Sequence, residues 1–399
     1  HGATWAAFSE PESAPLRELV ARTFAPGAPE RMLAAQLGQA GYETLGFSPN
    51  PWVAKSKGLA EGFDEFHELW RAEERAEMAR GEPTDALSSS LSGVTVAGVR
   101  RALSERDEAR PFFLFVNFLD PHFPYEPPEP YRARLGGTSA TVTAIQAGGR
   151  RTELAMIAGA APFTREELVP LYDGELATAD HFVGELVAAL EREGVLDDTL
   201  VIVTSDHGEL LGEGGQWSHQ LSVGEELLCV PLVLKLPHDA RAGTVVDDPL
   251  ASNLDVYATL LAAAGLVPPP GLARDLCASA PPRELLVAEY DTSRAYLRQL
   301  AEVHPAFDVA AHAHELHALY TPEFRTTFVD RAPEHVGARR AGVQPAPEAL
   351  ERAREALRAY LAARDTRATM RAGNSPEDAS SGAGLEDLGY VGAEDDPPR

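Results

Sequence analysis

The 399-residue sequence has only two cysteines and lacks any long apolar run. Cys229 and Cys277 cannot build the disulfide framework that stabilises many small secreted domains, and they leave the redox compartment open. Cys229 stands in the apolar stretch 227–230, which predicts a buried, unreactive thiol. No run approaches the roughly 18 apolar residues that indicate a membrane span, so we expect no such span.

Positive charge is also scarce, because 35 basic residues stand against 61 acidic ones and the formal net charge is −26. A surface this acidic repels nucleic acid and anionic lipid, so neither is an expected partner. An anionic substrate would be repelled as well. An enzyme for such a substrate would need local positive charge, which a bound metal ion supplies directly.

Hydrophobic residues make up 44% of the chain, which is enough for a large core. Short β-branched or aromatic runs predict strands, and apolar stripes at helical spacing predict helices. The predicted strands are 42–47, 111–119, 199–204, 230–236 and 284–290. The predicted helices are 31–40, 94–104, 166–193, 255–264 and 346–364.

The alternation of strands and helices predicts an α/β fold with a doubly wound, mostly parallel sheet. The strand at 199–204 is expected to be buried and parallel to its neighbours. Residues 135–165 are rich in Gly, Ala and Thr and are expected to form a surface excursion. The final 30 or so residues are expected to be flexible.

Chemistry-bearing residues follow two of these strands. Asp206 and His207 come directly after the strand at 199–204, and His122 follows the strand at 111–119 between two prolines. His219 lies ahead of the strand at 230–236. Each residue alone is more often a solvated or packed loop residue. Because ligands bind outside the carboxyl ends of strands in open α/β sheets, their convergence there favours a site. A carboxylate and an imidazole are suitable ligands for a divalent metal.

The stretch 171–237, with LVIVTSDHGELLGEGG and WSHQLSVGEELLCVPLVLKLP, closely resembles the sulfatases of the alkaline-phosphatase superfamily. PFFLFVNFLDPHFPYEPP resembles their Pro-His-x-Pro-Tyr element, and SNLDVYATLLAAAGLVPP their following helix. GYETLGFSPNPWVAKSKGLAEGFDEF and the terminal LEDLGYVG resemble further blocks of the family. The likeness covers most of residues 1–290.

This resemblance implies an alkaline-phosphatase-like core over residues 1–290, a smaller C-terminal subdomain over 291–370 and a flexible tail over 371–399. It implies a sulfuric ester hydrolase that acts on a small-molecule or glycan sulfate ester. Asp206 and His207 would be metal ligands, whereas His122 and His219 would contact the sulfate or the leaving oxygen. Either histidine could protonate the departing alcohol, since imidazole titrates near neutral pH.

The resemblance makes calcium the expected metal, although an imidazole ligand mildly favours a borderline ion such as manganese or zinc. Family members also carry two acidic ligands and a Cys or Ser in a Cys/Ser-x-Pro-x-Arg motif, which is oxidised to formylglycine. His1-Gly2-Ala3-Thr4 resembles the stretch just downstream of that motif. We therefore expect a fragment without the first strand, the two acidic ligands and the nucleophile, inactive by itself.

Other interpretations stay open. Relatives in the same superfamily hydrolyse phosphodiesters or phosphonate esters with transition metals, and a non-catalytic remnant is a third possibility. The histidines of 291–345 could suggest a metal-binding tract, but a helical period would place them on more than one face. The sequence does not identify the alcohol part of the substrate or the oligomeric state. An exported location is implied by the resemblance alone.

Overall fold

The computed structural model describes most of the chain in several ranges. They are 6–7, 32–246, 250–268, 273–278, 283, 285–291, 294–321, 324–329, 332–338 and scattered positions between 348 and 362. The predicted flexible tail lies outside the described residues. Every described position between 348 and 362 is helical, in agreement with the helix expected at 346–364.

The strands and helices alternate over the first two thirds of the chain. The strands are β1 Ala6–Ala7, β2 Glu43–Ser48, β3 Glu65–Glu68, β4 Phe112–Val116, β5 Val201–Thr204, β6 Leu210–Leu211, β7 Trp217–Ser218, β8 Leu232–Lys235, β9 Leu286–Asp291, β10 Glu315–Tyr320, β11 Phe324–Val329 and β12 Ala332–Ala338. The helices are α1 Leu33–Gln39, α2 Ala72–Met78, α3 Leu91–Glu105, α4 Tyr131–Leu135, α5 Ser139–Ile157, α6 Arg165–Arg192, α7 Glu225–Leu228, α8 Asn253–Ala263, α9 Arg294–Val303 and α10 Val309–His312.

The described residues divide into two compact units. The parallel-sheet unit holds residues 32–150 and 166–195, and the antiparallel-sheet unit holds 6–7, 151–165 and the described residues from 196 onward. Each unit has its own buried side chains. The mixed α/β class and the presence of a parallel sheet are as predicted.

In the parallel-sheet unit, β2 lies between β3 and β4 and pairs parallel with both. The apolar residues of β2 explain its central place, because Leu45 and Phe47 are buried. The buried face of α3, which includes Val94 and Val99, packs in the same unit. Ser90 caps this helix by accepting from the backbone N–H of Gly93 over 3.1 Å.

The surface excursion expected at 135–165 is wrong for most of that stretch. Residues 139–157 form α5, which bends at Gly149, where φ is 49°. Val142 and Ile145 are buried before the bend, and Met156 is buried after it. The Gly and Thr residues of this stretch lower its helix propensity, but tertiary burial of these apolar side chains decides the outcome.

The antiparallel-sheet unit contains a five-stranded sheet in the order β1-β9-β10-β11-β12, whose neighbours all run antiparallel. Two shorter antiparallel pairs, β5–β8 and β6–β7, belong to the same unit. The expectation that 199–204 is a buried parallel strand is therefore wrong for the pairing the structure shows. Its β-branched run predicts a strand, but it carries no information about the direction of the partner.

Two further features concern the surface. Cys229, which the apolar stretch 227–230 predicted to be buried, is exposed and lies directly after the last turn of α7. None of the helices within the described ranges combines the length and apolarity that a membrane crossing requires.

Candidate metal centre

The loop that carries Asp206 and His207 begins where β5 ends and is tied to the N-terminus of α8. The side-chain amide of Asn253 donates to the carbonyl oxygen of Ser205 over 2.7 Å, and its oxygen accepts from Thr204 Oγ1 over 3.1 Å. Inside the loop, the Ser205 hydroxyl donates to the carbonyl oxygen of His207 over 2.7 Å. These bonds fix the backbone on which both candidate ligands stand.

The N-terminus of α8 is in turn held by a buried charge network. Ser252 and Asp255 form a capping box, which satisfies the first backbone N–H groups of the helix. Arg283 pairs in a bidentate manner with Asp255, at 2.7 Å and 2.9 Å, and both side chains are almost fully buried. The position of Asn253 therefore depends on this ion pair.

Gly208 allows the loop to pass directly against the backbone of α7. Its N–H donates to the carbonyl oxygen of Leu227 over 2.8 Å. A Cβ at this position would lie 2.0 Å from the carbonyl oxygen of Glu226, closer than any real contact. Only glycine fits here without a shift of the backbone.

His219 lies between a short strand and two hydrophobic clusters. Trp217 and Ser218 of β7 pair with β6 on one side. On the other side, Leu221 packs with Leu154, Leu297 and Leu300, while Val223 packs with residues of the five-stranded sheet. Ser218 and Leu221 adopt positive φ values of 66° and 58°, which are rarely populated by residues other than glycine. The packing on both sides holds this strained segment in place.

The side chains of His207, Glu209 and His219 come together. One possible ligand atom from each lies within 4.8 Å of the others, and this is the one such trio of His, Cys, Asp or Glu in the part of the chain that the structure describes. The two imidazole rings stack with centroids 4.3 Å apart. Glu209 Oε2 lies 3.2 Å from Nδ1 of His219, and the carboxylate is only 5% exposed.

The hydrogen bonds of the two imidazoles define their tautomers. Nδ1 of His207 lies 2.9 Å from the carbonyl oxygen of Gly208, which can only accept, so this nitrogen carries a proton. Nδ1 of His219 faces the Glu209 carboxylate and is also a donor. In the neutral form of either ring, Nε2 is then the nitrogen with the lone pair that a metal or a proton can take.

The pKa of His219 is lowered to about 4, mainly by burial and also by the nearby imidazole of His207, while Glu153 and Asp206 act in the opposite direction. Without a ligand in the site, His219 is therefore neutral at physiological pH.

The structure brings three of the four predicted site residues into one place. Asp206 is adjacent to the cluster, with Oδ2 3.7 Å from Nε2 of His207, and its side chain is 80% exposed. His207 and His219 are in contact. His122 belongs to the parallel-sheet unit, where its Nδ1 lies 2.5 Å from the carbonyl oxygen of Phe123.

Glu209 is the residue of the cluster that the sequence interpretation missed. The signal was present in Asp206-His207-Gly208-Glu209, where a glycine separates the imidazole from a second carboxylate. The contact of Glu209 with His219 connects the two ends of a segment that folds back through β6 and β7. The sequence alone gave no evidence of that reversal.

The histidines of 291–345 form no metal-binding trio within the described ranges. His317 is buried and lies 3.4 Å from Glu289 across neighbouring strands, and His312 stacks on Phe307. These contacts agree with the preference for a structural interpretation of this region.

Two stretches of the chain have the Ser-x-Pro-x-Arg pattern, and the expectation of a missing nucleophile overlooked them. They are Ser13-Ala14-Pro15-Leu16-Arg17 and Ser279-Ala280-Pro281-Pro282-Arg283. Ser13 and Ser279 lie outside the described residues. Arg283 is engaged with Asp255, which gives the second stretch a structural explanation.

Comparison with solved structures shows which class of fold holds this site. The phosphonate monoester hydrolase from Silicibacter pomeroyi has a TM-score of 0.56 at 20% identity, and the match covers 85% of this chain and 79% of that chain. The fold is accordingly alkaline-phosphatase-like.

A family model described as Sulfatase matches residues 13–266, more than half of the chain. The chain belongs to the sulfatase family.

Two curated relatives show how far the similarity extends in sequence. Choline-sulfatase of Rhizobium meliloti (strain 1021) is 39% identical over 95 residues, which are 24% of this chain and 18% of the relative. N-acetylglucosamine-6-O-sulfatase of Bacteroides thetaiotaomicron is 34% identical over 98 residues, which are 25% of this chain and 17% of the relative. The matched segments thus span about a fifth of the length of these curated relatives.

Proposed function

We propose that this chain forms part of a sulfuric ester hydrolase whose divalent metal is held by Asp206 and His207. The observation that carries the proposal is the convergence of His207, Glu209 and His219 beside Asp206, directly after a strand, in a chain of the sulfatase family. The substrate we propose is a small-molecule or glycan sulfate ester, which is supported by the names of the choline and N-acetylglucosamine relatives.

The residues present fit a divalent ion. Asp206 and Glu209 offer carboxylate oxygens, and the lone pairs on Nε2 of His207 and His219 add nitrogen donors. Calcium is the proposal on family grounds, although the two imidazole donors mildly favour manganese or zinc. The bound ion would act as a Lewis acid and offset negative charge on the ester group.

The remaining catalytic roles are assigned to histidine side chains of this chain. His219, neutral at physiological pH, offers its Nε2 lone pair to the ion while Glu209 fixes its ring through Nδ1. It is poorly suited to donate a proton from its resting state. We therefore assign protonation of the departing alcohol to the imidazolium form of His122, whose Nδ1 proton is donated to the Phe123 carbonyl oxygen.

Phosphonate-ester or phosphodiester hydrolysis is the second candidate. It is supported by the imidazole donors, which suit transition metals. Parallel assays with an aryl sulfate and a phenyl phosphonate ester separate the two candidates.

We propose that neither Ser13 nor Ser279 serves as the nucleophile and that the nucleophile is missing from these 399 residues. The purified chain should then turn over no ester with any of the three metals. Ser13→Ala provides the control, because turnover that this substitution abolishes would mean that Ser13 serves as the nucleophile. Peptide mass spectrometry would detect its oxidation as a loss of two hydrogens.

Metal binding tests the proposal independently of turnover. Isothermal titration with Mn²⁺, Zn²⁺ and Ca²⁺ should give one site in the unmodified chain, and His207→Ala should weaken it by at least about 100-fold. His238→Ala is the matched control, because this histidine is exposed and its partner is Asp198. Equal binding by the His207 and His238 variants would contradict the proposed site.

A further inference from the structure

The loop that carries His122 runs from Asp120 to Glu126 and is packed on aromatic side chains of the parallel-sheet unit. Phe123 and Tyr125 are both buried and contact each other edge to face at 5.3 Å. Tyr125 also meets Tyr172 of α6, with ring centroids 5.6 Å apart. The loop is therefore fixed in the middle by apolar contacts, and its two ends are polar.

Each polar end is held by a side chain from a neighbouring helix. At the start of the loop, the hydroxyl of Ser92 in α3 donates to Oδ2 of Asp120. At its end, the backbone N–H of Glu126 donates to Oε1 of Glu175 in α6 over 2.6 Å. Ser92 and Glu175 are both buried.

Glu175 also interacts with the first end of the loop, because a side-chain hydrogen bond to Asp120 and the charge of Asp120 both raise the pKa of Glu175. Two carboxyl groups in contact share a hydrogen bond only when one of them carries a proton. The Ser92 hydroxyl already donates to Asp120, whereas the Glu126 N–H occupies Oε1 of Glu175. The proton is then placed on Oε2 of Glu175, which donates to Asp120.

The electrostatic surroundings agree with this placement. Burial raises the pKa of Glu175 to about 10, and the contact with Asp120 and the charge of Glu126 raise it as well, while the N–H of Glu126 lowers it. Glu175 therefore keeps its proton at neutral pH.

We propose that Glu175, in its protonated form, is a positioning residue that bridges Asp120 and Glu126 and so fixes the loop bearing His122. Its relevance to catalysis rests on the role proposed above for His122. The bridge itself depends on neither a metal nor a nucleophile. The bridge gives the buried Glu175 a structural role, because this one side chain links the two ends of the loop.

The first test is the pH dependence of unfolding. A Glu whose pKa is raised in the folded state contributes stability that is fully present below its unfolded pKa and is lost as pH rises through the folded value. Between about pH 5.5 and 9, this group should increase the unfolding equilibrium constant by about tenfold per pH unit. Glu175→Gln keeps a donor and an acceptor but cannot titrate, so its unfolding should lack this contribution. Asp180→Asn, an exposed acid on the same helix, is the control and should retain it.

The second test reports on His122 directly. Carbethoxylation of His122 by diethyl pyrocarbonate, followed by peptide mass spectrometry, should be several-fold faster in Glu175→Ala. The rate in Glu175→Gln should match that of the unmodified chain, because the amide preserves the bridge. Ser92→Ala should give an intermediate rate by releasing one end.

Equal pH slopes for the unmodified chain and Glu175→Gln would overturn the proposal. An unchanged rate of His122 carbethoxylation in a folded Glu175→Ala chain would also overturn it. If Glu175→Ala does not fold, two other results decide: the pH dependence of unfolding of Glu175→Gln, and the rate at which His122 is carbethoxylated in Ser92→Ala. Neither readout needs ester turnover or bound metal, so an inactive or metal-free chain would count against the proposed function and not against this inference.

Discussion

The two loops that carry candidate histidines are fixed in contrasting ways. The loop at 205–209 is held by backbone contacts, by the close approach of Gly208 to α7 and by the neutral amide of Asn253. The loop at 120–126 is held by the buried acid Glu175. A histidine can thus be positioned either by a frame of backbone and amide contacts or by one that depends on a proton.

Burial shifts the pKa of one group in each region, but the two shifts have opposite directions. It lowers the pKa of His219 to about 4 and raises that of Glu175 to about 10. In both cases the favoured form is the neutral one, as desolvation requires. What differs is the neighbour, an imidazole beside His219 and a carboxyl beside Glu175.

The largest expected effect concerns the support behind the first loop. Asp255→Asn leaves the buried guanidinium of Arg283 without its charged partner and should cost about 3–5 kcal/mol of unfolding free energy. Because α8 presents Asn253, metal affinity should fall as well. Urea unfolding and calorimetric titration measure the two quantities, and Asp239→Asn on an exposed turn is the control. A loss below about 1 kcal/mol would show that the ion pair does not support the helix.

A Gly208→Ala variant sharpens the contrast by attacking the backbone contact itself. The added methyl group would overlap the carbonyl oxygen of Glu226, so we expect a loss of about 2–4 kcal/mol and displacement of the loop. Gly184→Ala on α6 is the matched control, because a Cβ there meets no neighbour and should stabilise the helix by up to about 1 kcal/mol. Thermal unfolding of both variants checks the difference in sign.

Removing the carboxylate that orients His219 should have a smaller effect. Glu209→Ala is expected to weaken metal binding by about 10–100-fold, because the imidazole loses its acceptor at Nδ1. Glu209→Gln, which keeps an acceptor oxygen, should lose less. Isothermal titration with Mn²⁺ distinguishes them, and equal losses in the two variants would mean that the charge rather than the ring orientation matters.

The smallest effect is expected at Asn253. Asn253→Ala removes the hydrogen bonds to Thr204 and Ser205 and should cost about 1–2 kcal/mol, with no dependence on pH between about 5.5 and 9. That independence is the point of comparison with Glu175. A pH-dependent cost, measured by urea unfolding, would contradict the distinction between the two frames.

The sequence predicted the candidate site residues better than the tertiary contacts that bring them together. Asp206 and His207 could be found because polar residues after an apolar strand are visible as a pattern, and His219 because the stretch around it resembles the family. Glu209 and Glu175 could not, because a Glu in a loop or on a helix looks like a solvated residue until its tertiary contacts are known. The pairing of β5 with β8 and the burial of α5 were missed for the same reason, since both depend on contacts between distant segments.

The close approach at Gly208 has a consequence for reading mutational data. In a saturation scan scored by activity, this position should tolerate no side chain and would be ranked with the metal ligands. The intolerance would reflect backbone clearance from the Glu226 carbonyl oxygen rather than any contact with ester or ion. A parallel scan scored by abundance would separate the two classes, because Gly208 variants should be depleted there and Asp206 variants, whose side chain is largely exposed, should not.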